Sequence, residues 1–368
     1  MKGSSWNDRL AWVERHSPLT RAALARFPSG SRSPLLMSFH LDLKMVPVIL
    51  GLSEKLPLSV FACNPHTVDP QSLEHLAKFS RCELLTREEA LGRWTSGQQA
   101  WPFLCDLGGE LIVTALADRS LRVSAAMEGT SSGVCRVKKA LAGRSLPFPV
   151  VDWNAAPLKL SLHNEKMVGF SLWQTFTEVT RLSLHGKCVG VFGFGPVGRG
   201  VARTARSLGG SVVVFDPDAA ASTIAGYEGF PVLSREALLE SAEVIVTATG
   251  RPGALRLTDL TLFRDGAFLL NVGHSCDEWE SELREHPHRQ KVLENVEELP
   301  SGQGSVYLLS RGELLNLGAG FGDTINAFDL TTAQLVEAIA YLYERGGELP
   351  PGWHDLPPNF SARCLGQR

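Results

Sequence analysis

The chain contains no run approaching the roughly 18 apolar residues of a membrane-spanning helix, and its opening MKGSSWNDRL lacks the apolar core of a signal peptide. A soluble protein is expected. Charge of one sign is missing too: 36 Lys and Arg stand against 39 Asp and Glu, with no long basic run. That balance argues against nucleic acid or a membrane surface as partner and leaves a small molecule. Cysteine pairing is absent. Cys63, Cys82, Cys105, Cys135, Cys188, Cys276 and Cys364 are scattered singly without a C-x-x-C pair, which argues against a disulfide framework and a zinc knuckle, and no metal centre is expected. A reducing, cytoplasmic compartment follows as the expectation. Internal repeats and low-complexity blocks are missing as well.

What is present is room for two domains and an alternation of apolar runs with helical patterns. In the first part "PLLMSF" (34–39) and "PLSVFAC" (57–63) read as strands and "DPQSLEHLAKF" (69–79) as a helix. "SLWQTFTEVTRLSL" (171–184) carries Leu172, Phe176, Val179 and Leu182 at helical spacing. From 187 the pattern is regular: "KCVGVF", a glycine loop, a helix through "VARTARSL", then "SVVVF", "EVIVTATG" and "GAFLLNVGH" as strands. Uniformly apolar strands separated by helices predict a doubly wound parallel sheet. A long helix over 331–347 and a proline-rich tail, "LPPGWHDLPP" (349–358), close the chain, the tail reading as a surface strap.

Gly193, Gly195 and Gly198 in "GFGPVG" form G-x-G-x-x-G between a predicted strand and a helix that opens at Pro196 and Val197. In that context the first glycine makes the tight turn, the second admits a pyrophosphate and the third packs helix on strand. Asp216 ends the next strand, where a carboxylate accepts hydrogen bonds from an adenosine ribose. With Asp218 nearby and no cation in "DPDAA", NAD is preferred over NADP. Thr247, Thr249 and Gly250 in "VTATG" fall at a strand's carboxyl end, against the dinucleotide.

"LKLSLHN" (158–164) alternates so strictly that a strand is expected, with Leu158, Leu160 and Leu162 on one face and Lys159, Ser161 and His163 on the other. An amphipathic strand with a solvated face is the plain reading of that pattern.

With "SFHLDL", "CNPHT", "CDLGGEL", "GTSSGV", "LKLSLHN", "GFGPVGRG", "VTATG", "NVGH", "NLG" and "GWHDLP" in this order, the chain resembles the S-adenosylhomocysteine hydrolase family. The resemblance implies an α/β fold in which a Rossmann-type NAD domain (169–327) is inserted into a second α/β substrate domain (1–168 with 328–368). It implies a tightly held NAD that oxidises a ribose hydroxyl, after which the neighbouring C–H is acidified, the 5′ thiol leaves, water adds and the alcohol is restored. Asn271, Gly273 and His274 of "NVGH" and Asn316 of "NLG" join the glycine loop as cofactor-binding residues. The family's Lys-x-x-x-Asp-Asn stands here as Lys159 to Asn164, so Lys159 is the candidate acceptor of the alcohol's proton, with Asn164, and His163 replaces the aspartate as a possible base. His40 matches a histidine near the leaving group, and His274 one on the nicotinamide side.

Departures fall on the substrate side. In "CDLGGEL" the family's second acid is Leu107, leaving Asp106; in "MEGTSSG" it is Gly129, leaving Glu128. Asp42 and Lys44 replace a threonine and a glutamate, and Asp323 stands where the family has a histidine beside the adenine. Asp42, Asp106, Glu128 and Asp323 are therefore the candidate substrate-binding acids. The family's C-terminal Lys and Tyr, which reach a neighbouring subunit, have no match in "NFSARCLGQR", although a homodimer or homotetramer is still the expected state. Three readings stay open: an NAD enzyme of this type with a changed, nucleoside-like substrate; a catalytically silent NAD-binding homologue acting as regulator or partner; and a dehydrogenase that releases NADH.

Overall fold

The computed structural model describes residues 4–28, 30, 32–302 and 304–366. It divides into two compact units, one of residues 1–159 with 325–368 and one of 160–324.

The first unit is built on seven strands: β1 (Leu35–Phe39), β2 (Leu58–Ala62), β3 (Glu83–Leu84), β4 (Phe103–Asp106), β5 (Ala125–Glu128), β6 (Pro149–Asp152) and, at the far edge, a late strand, Gly352–His354. Their order is 3-2-1-4-5-6 with the late strand beside β6, and every pair is parallel. Leu36, Phe61, Leu104, Ala126 and Val150 point from successive strands into one core with Trp94 and Trp101. Strands buried in this way carry no polar alternation, which is why they read as short apolar runs. The order reverses between β1 and β4, and open α/β sheets bind ligands outside the carboxyl ends of strands at such a point. His40 follows β1 there, and Asp106 and Leu107 end and follow β4. The long helix Ile325–Arg345 belongs to this unit.

The proline-rich tail is not the loose strap its composition suggests. Gly352–His354 adds a parallel strand with Trp353 opposite Val150. Prolines flank it at 350–351 and 357–358 without interrupting it, so its N–H groups remain available to the edge of β6.

The second unit holds β7 (Cys188–Phe192), β8 (Ser211–Phe215), β9 (Val244–Thr247), β10 (Ala267–Asn271), β11 (Gln290–Leu293), β12 (Val296–Ser301) and β13 (Gly304–Leu309), in the order 11-12-13-10-9-7-8. The strands β8, β7, β9, β10 and β13 are parallel, and β12 runs antiparallel between β13 and β11. Val244 and Val246 enter one core and Ile245 the other, so both faces of the sheet are covered. This is the doubly wound Rossmann-type sheet expected from 187 onward. Its order reverses between β7 and β9, beside the glycine loop.

"LKLSLHN" is not a strand. Asp152 Oδ1 accepts the Ala155 N–H at 3.0 Å to form a turn, Pro157 follows in the first helical position, and Lys159–Met167 is a π-helix that continues into the α-helix Val168–Thr180. Burial falls at Lys159, Asn164 and Gly169, every fifth residue, as i→i+5 winding demands, while Leu158, Leu160 and Leu162 are only half-buried. Lys159 and Asn164, not the leucines, face inward. The second unit begins at Leu160, ahead of 169, because this segment already packs on the helix Pro196–Ser207. A Cβ on Gly200 would sit 2.1 Å from the Glu165 carbonyl and one on Gly169 2.6 Å from the Gly200 carbonyl. Arg203 of that helix also pairs with Glu165.

Candidate active site

Several observations fit the second unit's reversal point to a dinucleotide. Gly193 has φ +93°, and a Cβ there would meet the Ala248 carbonyl at 2.6 Å, so the loop after β7 lies directly on the loop after β9. At Gly198 a Cβ would lie 1.8 Å from Gly193 O, whereas at Gly195 it would meet nothing within 4 Å. The space above Gly195 is open. The helix beginning at Pro196 has Gly195 as its cap, with no side-chain cap bond, leaving its N–H groups and positive end for a phosphate. Val197 is half-buried on the first turn. Asp216 Oδ2 accepts the Phe194 N–H at 2.7 Å and its Oδ1 that of Asp218 at 2.8 Å; it fastens the glycine loop and keeps lone pairs for a ribose. Farther along, Asn316 is 5 % exposed and its Oδ1 has no hydrogen-bond partner. A buried acceptor left unmet costs about 1–3 kcal/mol and marks a place for a ligand donor. These residues fit NAD.

Two of the expected contacts are engaged within the protein. Thr247 and Asn271 are fully enclosed. Thr247 Oγ1 accepts from Trp279 Nε1 and bonds Asn271 Oδ1, both at 3.0 Å, while Asn271 Nδ2 donates to Gly312 O at 2.8 Å. Strand-end position suggested exposure, but both side chains tie β9 and β10 together behind the crevice. Gly273 serves likewise, since its absent Cβ makes room for Glu278, whose Oε1 would lie 1.6 Å from it. Glu278 was not anticipated. Fully buried, it accepts from Thr249 N and Gly250 N at 3.0 and 2.7 Å and from Thr249 Oγ1 at 2.8 Å. Burial raises its pKa, and those donors lower it. It thus locks the "VTATG" loop to the "NVGH" loop, on which His274 is half-buried. No local pattern marks such a long-range carboxylate.

In the first unit Lys159 is buried and its Nζ lies 5.4 Å from the centroid of the Trp153 ring. His40 Nδ1 is 2.7 Å from Thr67 Oγ1. Thr67's one hydroxyl hydrogen is given to the Asn64 carbonyl at 2.8 Å, so His40 Nδ1 must donate, which leaves Nε2 as the proton-accepting nitrogen. Cys63 lies 3.5 Å from the same Nδ1, and burial pushes its thiol well up.

The expected substrate acids turn inward. Asp106 and Glu128 are 1 % and 0 % exposed. Glu128 accepts from the N–H groups of Gly108, Gly109 and Thr130 at 3.1, 2.9 and 2.7 Å, and Asp106 Oδ2 from Ile112 N at 3.1 Å. Burial raises both, Asp106 to about 7 and Glu128, which also feels the Asp106 charge, well above the carboxylate range. They brace the loops, because short loops after parallel strands need acceptors for their own N–H groups, and Asp106 Oδ1 is left buried without a hydrogen-bond partner. Where the family has a second acid, a Cβ on Gly129 would strike Leu107 Cδ2 and the Trp153 ring, each at 2.6 Å. Leu107 and Trp153 fill that space.

Asp42 is likewise occupied. Its Oδ1 caps the turn at Lys44 and Met45, and its Oδ2 pairs with Lys44 Nζ at 2.8 Å. Asp323 is buried in the second unit and lies 2.8 Å from His163 Nδ1. Among the described residues no cluster of His, Cys, Asp or Glu is placed to hold a metal ion, and no helix is long and apolar enough to cross a membrane.

Fold and site therefore define an NAD-binding enzyme with a Rossmann-type domain joined to a second parallel α/β unit. Residues 167–322 match the family model for the NAD-binding domain of S-adenosyl-L-homocysteine hydrolase. An adenosylhomocysteinase of Archaeoglobus fulgidus is 33 % identical over 95 % of this chain and 90 % of its own length. An S-inosyl-L-homocysteine hydrolase of Methanopyrus kandleri is 29 % identical (97 % and 88 %), and an adenosylhomocysteinase of Thermotoga maritima 28 % (96 % and 92 %). The chain belongs to the adenosylhomocysteinase family, as a divergent, NAD-dependent member.

Proposed function

We propose that this enzyme uses transient oxidation of a ribose-type hydroxyl on a nucleoside or related substrate, and that its substrate is not handled as adenosylhomocysteine is by the family at large. The observation that carries the reading is the burial of Lys159 and Asn164 one π-helical turn apart, on a segment that leads into the helix packed on the dinucleotide-binding helix. Lys159, shielded from bulk water, takes the alcohol's proton; Asn164 holds the sugar oxygen by hydrogen bonding. Bound NAD supplies a reversible hydride acceptor. His40, with Nδ1 committed to Thr67, takes up a proton at Nε2 and gives it to the departing thiolate, and His274 orders the cofactor's reactive side.

Relatives named for adenosylhomocysteine and for S-inosyl-L-homocysteine make S-nucleosyl thioethers of homocysteine the first candidates. The inward-turned Asp106 and Glu128 and the Asp42–Lys44 pair support a changed recognition of the nucleoside, since each unreplaced hydrogen bond would cost about 1–3 kcal/mol. The filling of the Gly129 region by Leu107 and Trp153 also favours a second reading, a silent homologue that binds NAD without turnover. The test is to load the full chain with NAD and add adenosine, inosine and their homocysteine thioethers. NADH absorbance that rises and decays with release of free thiol is expected. Bound NAD with no spectral change from any of the four would overturn turnover in favour of the silent homologue, and NADH released in stoichiometric amount would indicate a dehydrogenase. The same preparation, sized by light scattering, tests the homodimer or homotetramer that this reading includes.

A further inference from the structure

Two of the departures from the family pattern, met separately in the sequence, are partners in space. The resemblance places an aspartate at position 163 and a histidine at 323; this chain has His163 and Asp323. The imidazole Nδ1 lies 2.8 Å from the carboxylate Oδ2. Relative to that pattern the acid and the base stand at each other's positions, and in this chain they are paired.

The surroundings are those of a held dyad. Asp323 is 5 % exposed, and its Oδ1 lies 3.1 Å from Ser171 Oγ, on the α-helix that continues the π-helix. Ser171 Oγ in turn accepts from Asn316 Nδ2 at 3.1 Å, and Asn316 is the residue whose buried Oδ1 is unmet. The carboxylate is thus oriented from two sides. A carboxylate on Nδ1 makes that nitrogen the donor and fixes the tautomer in which Nε2 accepts a proton.

We propose that His163 is the base that removes the proton from the carbon next to the transient ketone, and that Asp323 is its positioning residue rather than a substrate-binding acid. This rests on the oxidation proposed above, with NAD as the oxidant that makes the ketone. In the step the C–H bond breaks, its electron pair passes into the enolate, and the proton goes to His163 Nε2; the ionised Asp323 balances the imidazolium. Returned protonation at the same carbon reverses it. The π-helical winding places residue 163 four positions beyond Lys159 and next to Asn164, so hydroxyl and C–H chemistry are served from one turn.

The experiment follows adenosine and inosine, each mixed with the full-length NAD-loaded protein in deuterium oxide, by NADH absorbance and by deuterium uptake at the sugar C4′. The wild type is expected to give both signals. His163→Ala and Asp323→Asn should lose C4′ exchange by about a hundredfold or more, far beyond any loss of NADH formation. The exchange of both residues, His163→Asp with Asp323→His, should recover most of the exchange that either single change abolishes, which a purely structural contact would not predict. Exchange undiminished in His163→Ala that still forms NADH overturns the dyad alone. No NADH from either nucleoside in the wild type overturns the oxidation reading, and the dyad with it. If Asp323→Asn fails to fold, the double exchange and His163→Gln carry the same comparison.

Discussion

The two units meet ligands, in principle, at the same kind of place: the point where a doubly wound sheet reverses its order. At the reversal between β7 and β9 the structure leaves things undone, with open space above Gly195, an uncapped helix start and the unmet Oδ1 of Asn316. At the reversal between β1 and β4 matters are largely closed. Glu128 spends both oxygens on loop N–H groups and Asp106 its Oδ2, Asp42 is paired with Lys44, and Leu107 and Trp153 take the room that Gly129 leaves; Asp106 Oδ1 alone of these carboxylate oxygens is buried without a partner. Each point keeps an unmet buried acceptor, Asn316 Oδ1 at one and Asp106 Oδ1 at the other, but open space and an uncapped helix start stand beside the glycine loop, whereas apolar side chains fill the room at Gly129.

That contrast can be broken at its most exposed joint first. Lys159→Ala is expected to lower turnover by about a thousandfold or more, within the span of general acid–base effects, while NAD titrates unchanged by fluorescence; full turnover in that variant would remove the lysine from the chemistry. Next come two glycines of one motif with opposite consequences. Gly198→Ala forces a Cβ to 1.8 Å from Gly193 O and should unfold the glycine loop, seen as a large fall in melting temperature. Gly195→Ala meets nothing within 4 Å, so the melting temperature should hold while NAD affinity drops tenfold or more, roughly 1.4 kcal/mol. A variant of Gly195 that bound NAD normally would mean that no phosphate approaches there.

On the closed side, Gly129→Ala should destabilise by about 1–3 kcal/mol in urea unfolding, as overpacked cores do, because Leu107 and Trp153 stand at 2.6 Å. The smallest effect is a slope. Burial holds Asp106 at about 7, above its unfolded value, so the native state binds more protons than the unfolded one between the two. Stability contributed by this group is therefore lost as pH rises, by about 1 kcal/mol per pH unit between about pH 5 and 7. Asp106→Asn should flatten that slope; an unchanged slope would show that the carboxylate does not titrate there.

Legibility followed the physics of each element. The strands and the glycine loop of the second unit were readable because buried parallel strands and a phosphate-binding turn impose local composition. The segment at 158–164 was misread, since a period of two in six residues also fits a helix whose inward face is polar, and only Pro157 hinted at the helix start. Asp106, Glu128, Thr247 and Asn271 stand at strand ends, and a strand's end says where a side chain is, not whether its partner is a ligand or the protein's own backbone. Glu278 and Trp153 were not legible, because their partners lie far off in the chain.

By itself the sequence determined the α/β class, the dinucleotide site and the family, all properties written in short windows of residues whose chemistry is local. Tertiary structure alone decided which polar groups remain for a ligand. Hydrogen-bond capacity is finite, and whether Asp42, Asp106 or Asp323 has any left depends on donors brought from elsewhere in the fold. It also decided that His163 and Asp323, 160 residues apart in the chain and each a loss when read singly, form one pair.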